Sequence, residues 1–362
     1  MTDPSNITLT VVDQSPVRKG GTPADALWES VKLAQHAEKV GYSRYWVAEH
    51  HNSTSFAGTS PEILIGQIAA HTESVRVGAG GVMLTHYSAL KVAEQFSVLS
   101  SLYPGRIDLG VGRAPGSDLR TSTALSYPRP QMNVQRDFPQ MALDLMGFLH
   151  GGLSESHPLA GIRAHHGTDG PAPDVWFLGS SDYSARLAAA MGLPFSFADF
   201  FGNTGEHGPM VADIYRKEFR PSEYLSKPKV NVTLQVICAP TEEEARFMGA
   251  SRNLNKIVSA LGLTTGGLLT PEEAVDWPLD DHAKAYMEQS TKGYIEGDPG
   301  QVRDGILAAA ERYQTHDIGV VTNCYYFEQR KRSYEFVAQC LGVAPPKVGG
   351  QTGPSSASDG GA

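Results

Sequence analysis

What most constrains the fold of this chain is an alternation that runs along nearly its whole length: a short β-branched or apolar run, then an amphipathic stretch opened by a helix-capping residue. Eight candidate strands stand out: Ile7-Asp13, Arg44-Ala48, Val75-Met83, Arg106-Val111, Val175-Leu178, Phe195-Ala198, Val230-Cys238 and Ile318-Thr322. Each is followed by a segment of helical character. The helix starts share one chemistry. Thr22-Pro23-Ala24-Asp25 supplies an N-cap, a proline preset for the first helical position and an acid in the first turn. Ser60-Pro61-Glu62, Ser88 and Thr241-Glu242-Glu243-Glu244 repeat the punctuation. Leu27, Val31 and Ala34 form the inward stripe of the first helix, and Gly41 is placed to end it in a left-handed conformation.

Right-handed βα units build either an open doubly wound sheet or a closed barrel, so alternation alone does not choose. The count does. Eight units in 362 residues predict an α/β fold of the (β/α)8 TIM-barrel type, a single domain over 1–344 with βα-loop insertions. Gly151-Pro173 and Gly262-Gly293 read as such insertions. The second carries a helix start at Thr270-Pro271-Glu272-Glu273 and is expected to be a mobile lid. Residues 345–362 are rich in Pro, Gly and Ser, too poor in apolar groups to offset ordering entropy, and predict a disordered tail.

Composition narrows the function. A formal net charge of −9 with no basic block gives a polyanion no electrostatic footing, which argues against a nucleic-acid partner. Neither a signal peptide nor an apolar run long enough to span a bilayer is present, so the expectation is a cytoplasmic protein with no membrane partner. Cys238, Cys324 and Cys340 are odd in number and widely spaced, as reduced thiols are, and none belongs to a CxxC pair.

In a barrel, catalytic groups sit where the strands stop, at the C-terminal rim. Trp46-Val47-Ala48-Glu49-His50-His51-Asn52 places a carboxylate and two imidazoles at such a point. Histidine exchanges protons near neutral pH, whereas the bland reading has Glu49 and His50 satisfying backbone groups. A metal is the third reading, disfavoured because adjacent strand residues point to opposite faces; His165 and His166 would have to arrive by tertiary approach. Glycines in Gly78-Ala79-Gly80-Gly81 mark either close approach of a ligand or tight packing at a bend, and both stand at this stage. Gly110-Val111-Gly112-Arg113-Ala114-Pro115 fails the dinucleotide-binding spacing because position 115 is proline. Its Arg113 can bind phosphate in bidentate fashion or pair on the rim. Gly179-Ser180-Ser181-Asp182-Tyr183-Ser184 leads from a strand into a helix beginning near Ser184, offering amides and hydroxyls to a phosphate monoester, although serines also simply cap helices.

Taken together, these segments make the chain resemble the bacterial luciferase-like flavin monooxygenases from Leu9 to about Leu341. The resemblance rests on Val12-Asp13-Gln14-Ser15-Pro16, Tyr45 to Asn52, Gly78 to Leu84, Pro104 to Gly116 and Leu178-Gly179-Ser180-Ser181. It implies reduced FMN (FMNH2) at the barrel mouth with O2 as co-substrate, no metal, and His50 as the active-site histidine with Glu49 beside it. It also implies that Gly80 and Gly81 form a bend, often with a non-proline cis peptide, against the flavin ring. Arg113, flanked by Gly112 and Ala114, matches a phosphate-binding arginine, and Gly179, Ser180, Ser181, Tyr183 and Ser184 match the phosphate loop. Where the light-emitting luciferase subunit has a reactive cysteine this chain has Gly112, and where that subunit has an acid it has Gly179, so light emission is not implied.

The expected activity is that of a two-component monooxygenase, likewise carried by the resemblance. FMNH2 from a separate NAD(P)H:flavin reductase forms a flavin C4a-hydroperoxide with O2 and oxygenates a hydrophobic organic substrate, such as a carbonyl compound or a polycyclic secondary metabolite. Phe195, Phe197, Phe200 and Phe201, read as rim residues, favour a bulky apolar substrate. A homodimer is expected from the family. The alternatives are an F420-dependent hydride-transfer oxidoreductase and a non-catalytic flavin-binding barrel.

Overall fold

The computed structural model describes residues 6–128, 133–164, 171–202 and 204–344. The expected disordered tail, 345–362, and the pair His165-His166 lie outside the described residues. In chain order the strands are β1 (Thr8–Asp13), β2 (Arg44–Val47), β3 (Arg76–Met83), β4 (Ile107–Gly112), β5 (Asp174–Gly179), β6 (Phe195–Ala198), β7 (Val230–Cys238), β8 (Ile295–Gly297) and β9 (Asp317–Val321). The helices are α1 (Pro23–Lys39), α2 (Pro61–Ala70), α3 (Ala89–Leu102), α4 (Leu119–Ser126), α5 (Val134–Leu149), α6 (Asp182–Met191), α7 (His207–Glu218), α8 (Glu242–Ala260), α9 (Pro271–Val275), α10 (Asp281–Thr291), α11 (Pro299–Tyr313) and α12 (Phe327–Cys340).

Strands β1 to β6 pair in sequence, all parallel; β9 joins β1 to β7, and β7 pairs with β6, so eight strands close into a ring. This is the (β/α)8 barrel that the count of units predicts. The short β8 lies outside the ring, paired with residues 236–238 of β7. Thr22 caps α1 with a full capping box, Thr241 caps α8 and Thr270 caps α9, each through its side-chain oxygen. Side chains on the outer faces of the strands, among them Leu9, Val11, Tyr45, Val77 and Leu109, pack against the helices. Val12, Trp46, Trp176 and Val321 fill the inside. Below them the barrel floor is ionic, Arg44 bonding Asp317 at 2.9 Å and Arg76 bonding Asp108. No described helix is long and apolar enough to cross a membrane.

Two expectations need correction. Gly151-Pro173 falls between α5 and β5 in the chain, so it is an αβ connection and not a βα loop; its described parts are 151–164 and 171–173. The insertion on the functional side instead follows β4 and contains α4, whose pattern is too short and polar to read as a helix. Phe195 and Phe197 are not rim residues. They alternate outward into the helix layer, against Tyr215 and Tyr313 respectively. The region 262–293 holds α9 and α10 and is docked. Leu268 N donates to Val17 O at 2.8 Å, Lys19 N to Leu268 O at 2.7 Å, and the hydroxyls of Thr54 and Thr264 lie 2.7 Å apart.

The seam between first and last strands is held by buried charge. Asp13, fully buried at the end of β1, accepts from Arg330 Nη2 and from Tyr45 Oη, both at 2.6 Å. Arg330 Nε donates to Thr322 O at 2.7 Å. Burial alone would raise the Asp13 pKa, but the charge and hydrogen bond of Arg330, with bonds from Ser30 and Tyr45, outweigh it and hold the carboxyl below its ordinary value. Arg330→Met leaves that carboxylate buried without its counter-charge, and a loss of about 3–5 kcal/mol in denaturant unfolding is expected. In the wild type this contribution is intact at neutral pH and is lost only as pH falls below about 3.9 through the lower folded-state value.

Candidate active site

Because the strands are parallel and neighbouring, the C-terminal ends of β2, β3, β4 and β5 come to one rim. His50 follows β2, Gly80 and Gly81 lie in β3, Arg113 follows β4, and Gly179 ends β5. These four segments, separate in sequence, therefore share one mouth.

Glu49 is the anchor of that rim. Fully buried, its carboxylate accepts from Met83 N at 3.0 Å and Tyr87 Oη at 2.7 Å, and His51 Nε2 lies 2.6 Å from it. Burial first, then the Glu49 charge, push the Tyr87 phenol well above its ordinary pKa, so Tyr87 stays a donor. Among the described residues Glu49 makes no hydrogen bond to His50: its carboxylate is engaged by other donors and acts on the His50 ring through its charge. His51, His86 and Tyr87 were not singled out from sequence. His86 Nε2 lies 2.7 Å from Pro115 O, and His51 N donates to Gly116 O at 3.2 Å, which docks the loop after β4 on the end of β2. The signal was available in Glu49 and His51 standing two apart.

His50 differs from its neighbour. Its backbone N donates to Gly58 O at 2.8 Å and its ring lies 4.7 Å from that of Phe56, yet its buried Nδ1 has no hydrogen-bond partner among the described residues. Burial pushes its pKa down to about 4; Glu49 opposes this and His51 adds to it. The ring is therefore neutral at pH 7, able to accept or pass a proton at a nitrogen that no protein group occupies.

The peptide between Gly80 and Gly81 is cis, as the resemblance implied. A Cβ on Gly81 would lie 2.7 Å from Gly110 O, and one on Gly80 3.0 Å from Trp46 Cβ. Glycine is required there by the close approach of β3 to β4 and of Trp46 to β3, with the register shift between Ala79 and Val82 marking the bend. Position 112 is different. A Cβ there would meet Met83 Sδ at an ordinary contact distance of 3.7 Å, so packing does not require glycine at 112.

Arg113 has no carboxylate partner among the described residues; its guanidinium lies 4.4 Å from the ring centroid of Tyr183, in the first turn of α6. That helix begins at Asp182, two residues before the expected start, with Ser181 as N-cap. Ser181 makes no side-chain cap bond, and its hydroxyl is 3.4 Å from that of the buried Ser184. Ser180 is exposed and its carbonyl lies 3.3 Å from His207 Nε2. An unpaired guanidinium thus stands beside a helix start whose amides have no side-chain cap, a fitting arrangement for a phosphate monoester. Ala114 is exposed in the same loop. An unsatisfied buried Nδ1 and this phosphate-type corner together fit a cofactor with a phosphate tail.

The luciferase-like monooxygenase family model matches residues 7–316. The uncharacterized protein YceB of Bacillus subtilis (strain 168) is 41% identical over 92% of this chain and 99% of its own. N-acetyl-S-alkylcysteine monooxygenase of the same organism is 35% identical over 92% of this chain and 98% of its own. The crystal structure of apo-MsnO8 shares 36% identity with a TM-score of 0.84, covering 94% of this chain and 99% of that one. Two more distant structures share the fold alone. They are the FMN complex of the oxygenating constituent of 3,6-diketocamphane monooxygenase from Pseudomonas putida (18% identity, TM-score 0.68, 92% and 97% covered) and an F420-dependent secondary alcohol dehydrogenase (16%, 0.66, 92% and 99%).

The depressed His50 pKa has a consequence for stability. Between about pH 6.5 and 4 the unfolded chain binds a proton that the folded chain refuses, so stability falls on acidification through that window. His50→Gln is expected to flatten that part of the profile of unfolding free energy against pH. An unchanged slope would show that folding does not lower the pKa of His50.

Proposed function

This chain belongs to the luciferase-like monooxygenase family, and we propose that it is the oxygenating half of a two-component system, taking reduced FMN from a separate NAD(P)H:flavin reductase. It is a flavin-dependent monooxygenase, and its substrate is a small organic molecule. The observation that supports FMN is the pairing of Arg113 with the uncapped start of α6, on the same rim as the unpartnered Nδ1 of His50.

In this reading Arg113 and the amides of 180–184 hold the phosphate, and the backbone of Gly80-Gly81, with Gly112 and Ala114, borders the ring. Reduced FMN, when bound, supplies the electrons for activation of O2. His50 Nδ1 holds or passes the proton that the oxygen transfer requires, while Glu49, through His51, Tyr87 and Met83, keeps the segment that carries His50 in place. The docked 262–293 segment limits water at the mouth. Phe200, packed on the internal Trp46–Trp176 cluster, and Phe201, half exposed, are the aromatic side chains left for an apolar substrate. The thioether relative at 35% identity makes N-acetyl-S-alkylcysteines the first class to screen, beside ketones and polycyclic aromatics. A cytoplasmic homodimer belongs to the same proposal.

Removing the Arg113 guanidinium deletes charge-assisted hydrogen bonds to phosphate, each worth about 1.5–3 kcal/mol. Arg113→Ala is expected to weaken FMN binding roughly ten- to a hundredfold and riboflavin binding far less; equal losses would remove Arg113 from the phosphate site. Chemically reduced FMN with the wild-type protein and the substrate panel is expected to give oxygen uptake matched by a product heavier by one oxygen. Tight F420 binding without oxygen uptake would instead select the hydride-transfer alternative.

A further inference from the structure

Two cations stand one turn apart on α8, Arg252 and Lys256, and both lie against the ring of Tyr294, at 4.3 and 5.0 Å from its centroid. Residues four apart share a helix face, so one surface of α8 carries both. Their partners differ. Arg252 is paired with the carboxylate of Glu296 in β8. Lys256 has no carboxylate within ion-pair distance among the described residues. Its ammonium donates to Phe201 O at 2.7 Å, Ser290 O at 2.6 Å and Tyr294 Oη at 3.0 Å.

An ammonium has three N–H bonds, and three neutral oxygens take them all. Burial first, then the charge of Arg252, push the Lys256 pKa down to about 8, so at pH 7 the group is charged but held at an electrostatic cost that a carboxylate partner would remove. Overall stability is poorly served by such a contact. What the acceptors have in common is their place in the chain. Phe201 belongs to the loop 199–202 that follows β6 at the rim, whereas Ser290 and Tyr294 lie in the last turn of α10 and just beyond it, where the 262–293 insertion returns to the barrel. Ser290 O is one of the last four carbonyls of α10, which have no acceptor role within the helix. The two segments also meet directly, Gly293 N donating to Gly202 O at 2.7 Å.

We propose that Lys256 is a positioning residue for the oxygenation: one ammonium clasps the end of the 262–293 insertion to the rim loop that carries Phe200 and Phe201, and so fixes the wall that meets the organic substrate. This rests on the monooxygenase reading above, in which those two phenylalanines are left for the substrate and the docked insertion limits water. Lys256 touches neither flavin nor substrate in this role. It acts through the backbone of Phe201, next to Phe200, whose ring packs on the internal Trp46–Trp176 cluster. Arg252 cannot substitute, because its guanidinium is committed to Glu296 and to Asn253 Oδ1 and makes no bond to the 199–202 loop among the described residues.

Hydrogen–deuterium exchange of the full-length protein without ligand, read by mass spectrometry, tests the clasp. In Lys256→Met, peptides covering 199–202 and 284–294 are expected to exchange about tenfold faster or more than in the wild type, with β1 and α12 unchanged. For a substrate that the wild type oxygenates, KM is expected to rise roughly fivefold or more and hydrogen peroxide to be released in excess, while kcat changes less than KM and FMN affinity is kept. Unchanged exchange at the two segments, faster exchange throughout the barrel, or a fall in kcat at constant KM would each overturn the assignment. Should Lys256→Met fail to fold, Tyr294→Phe removes one acceptor and keeps the ring, and unchanged exchange at 199–202 and 284–294 in that variant overturns it likewise. Absence of any oxygenation by the wild type would instead sink the monooxygenase reading, and the exchange then decides the clasp alone.

Discussion

Asp13 and Arg330, a carboxylate and a guanidinium shut away from water, join the first strand of the barrel to its last helix. The seam they close, β1 against β9, is the one place in the ring where the paired strands are most of the chain apart, so no short connection sets its register. A buried charge pair does so by penalty. A one-residue slip would turn Asp13 away from Arg330 and leave two desolvated charges unpaired, at several kcal/mol each. Asn323 Nδ2 donating to Gln14 Oε1 at 2.6 Å ties the same seam just above. The Tyr45 bond carries the constraint to β2, and β2 is the strand that delivers Glu49 and His50 to the rim. Barrel closure and placement of the candidate proton carrier thus depend on the same carboxylate.

Moving along the barrel axis, polar groups change character. The floor pairs its charges, Arg44 and Arg76 with Asp108, Asp174 and Asp317, and Trp46 Nε1 donates to Asp108 at 2.8 Å. The middle is aromatic, with Trp46 and Trp176 edge to face at 5.2 Å. At the mouth pairing becomes selective: Glu49 is saturated, while His50 Nδ1 and Arg113 are not. Unsatisfied polar groups are costly, so an open Nδ1 and a guanidinium without a carboxylate on one rim suit a ligand, whereas the ion pairs of the floor are explained by folding alone.

The barrel was legible because its strands are buried on both faces and so read as continuous apolar runs, while Thr22, Thr241 and Thr270 announce helices through local bonding that needs no tertiary partner. Strand ends and the site segments they carry followed from the same pattern. What stayed hidden depended on distant partners. Phe195 and Phe197 looked like rim residues because sequence shows apolarity but not which face a strand turns to the helices. β8 is three residues long, too short for any period to show. His86 was invisible as part of the rim because its acceptor, Pro115 O, is a backbone group twenty-nine residues away. Glycines 80 and 81 could be read as bend or as ligand contact until Gly110 and Trp46 were seen to occupy the space a side chain would need.

The division of labour among Glu49, His50 and His51 follows from geometry that sequence does contain. Residues two apart share a side, and Glu49 and His51 do meet, at 2.6 Å. All three lie beyond the end of β2, and among the described residues the carboxylate meets His51 and makes no hydrogen bond to His50. A proton carrier needs a fixed ring and a free nitrogen at once. Hydrogen bonds would fix the ring by consuming its nitrogens; stacking on Phe56 and the backbone bond to Gly58 O leave Nδ1 unspent. Burial then keeps the ring neutral at pH 7, because the apolar contact that orients the imidazole also disfavours its charged form. Orientation and basicity at His50 are set together, and a change at Phe56 would alter both.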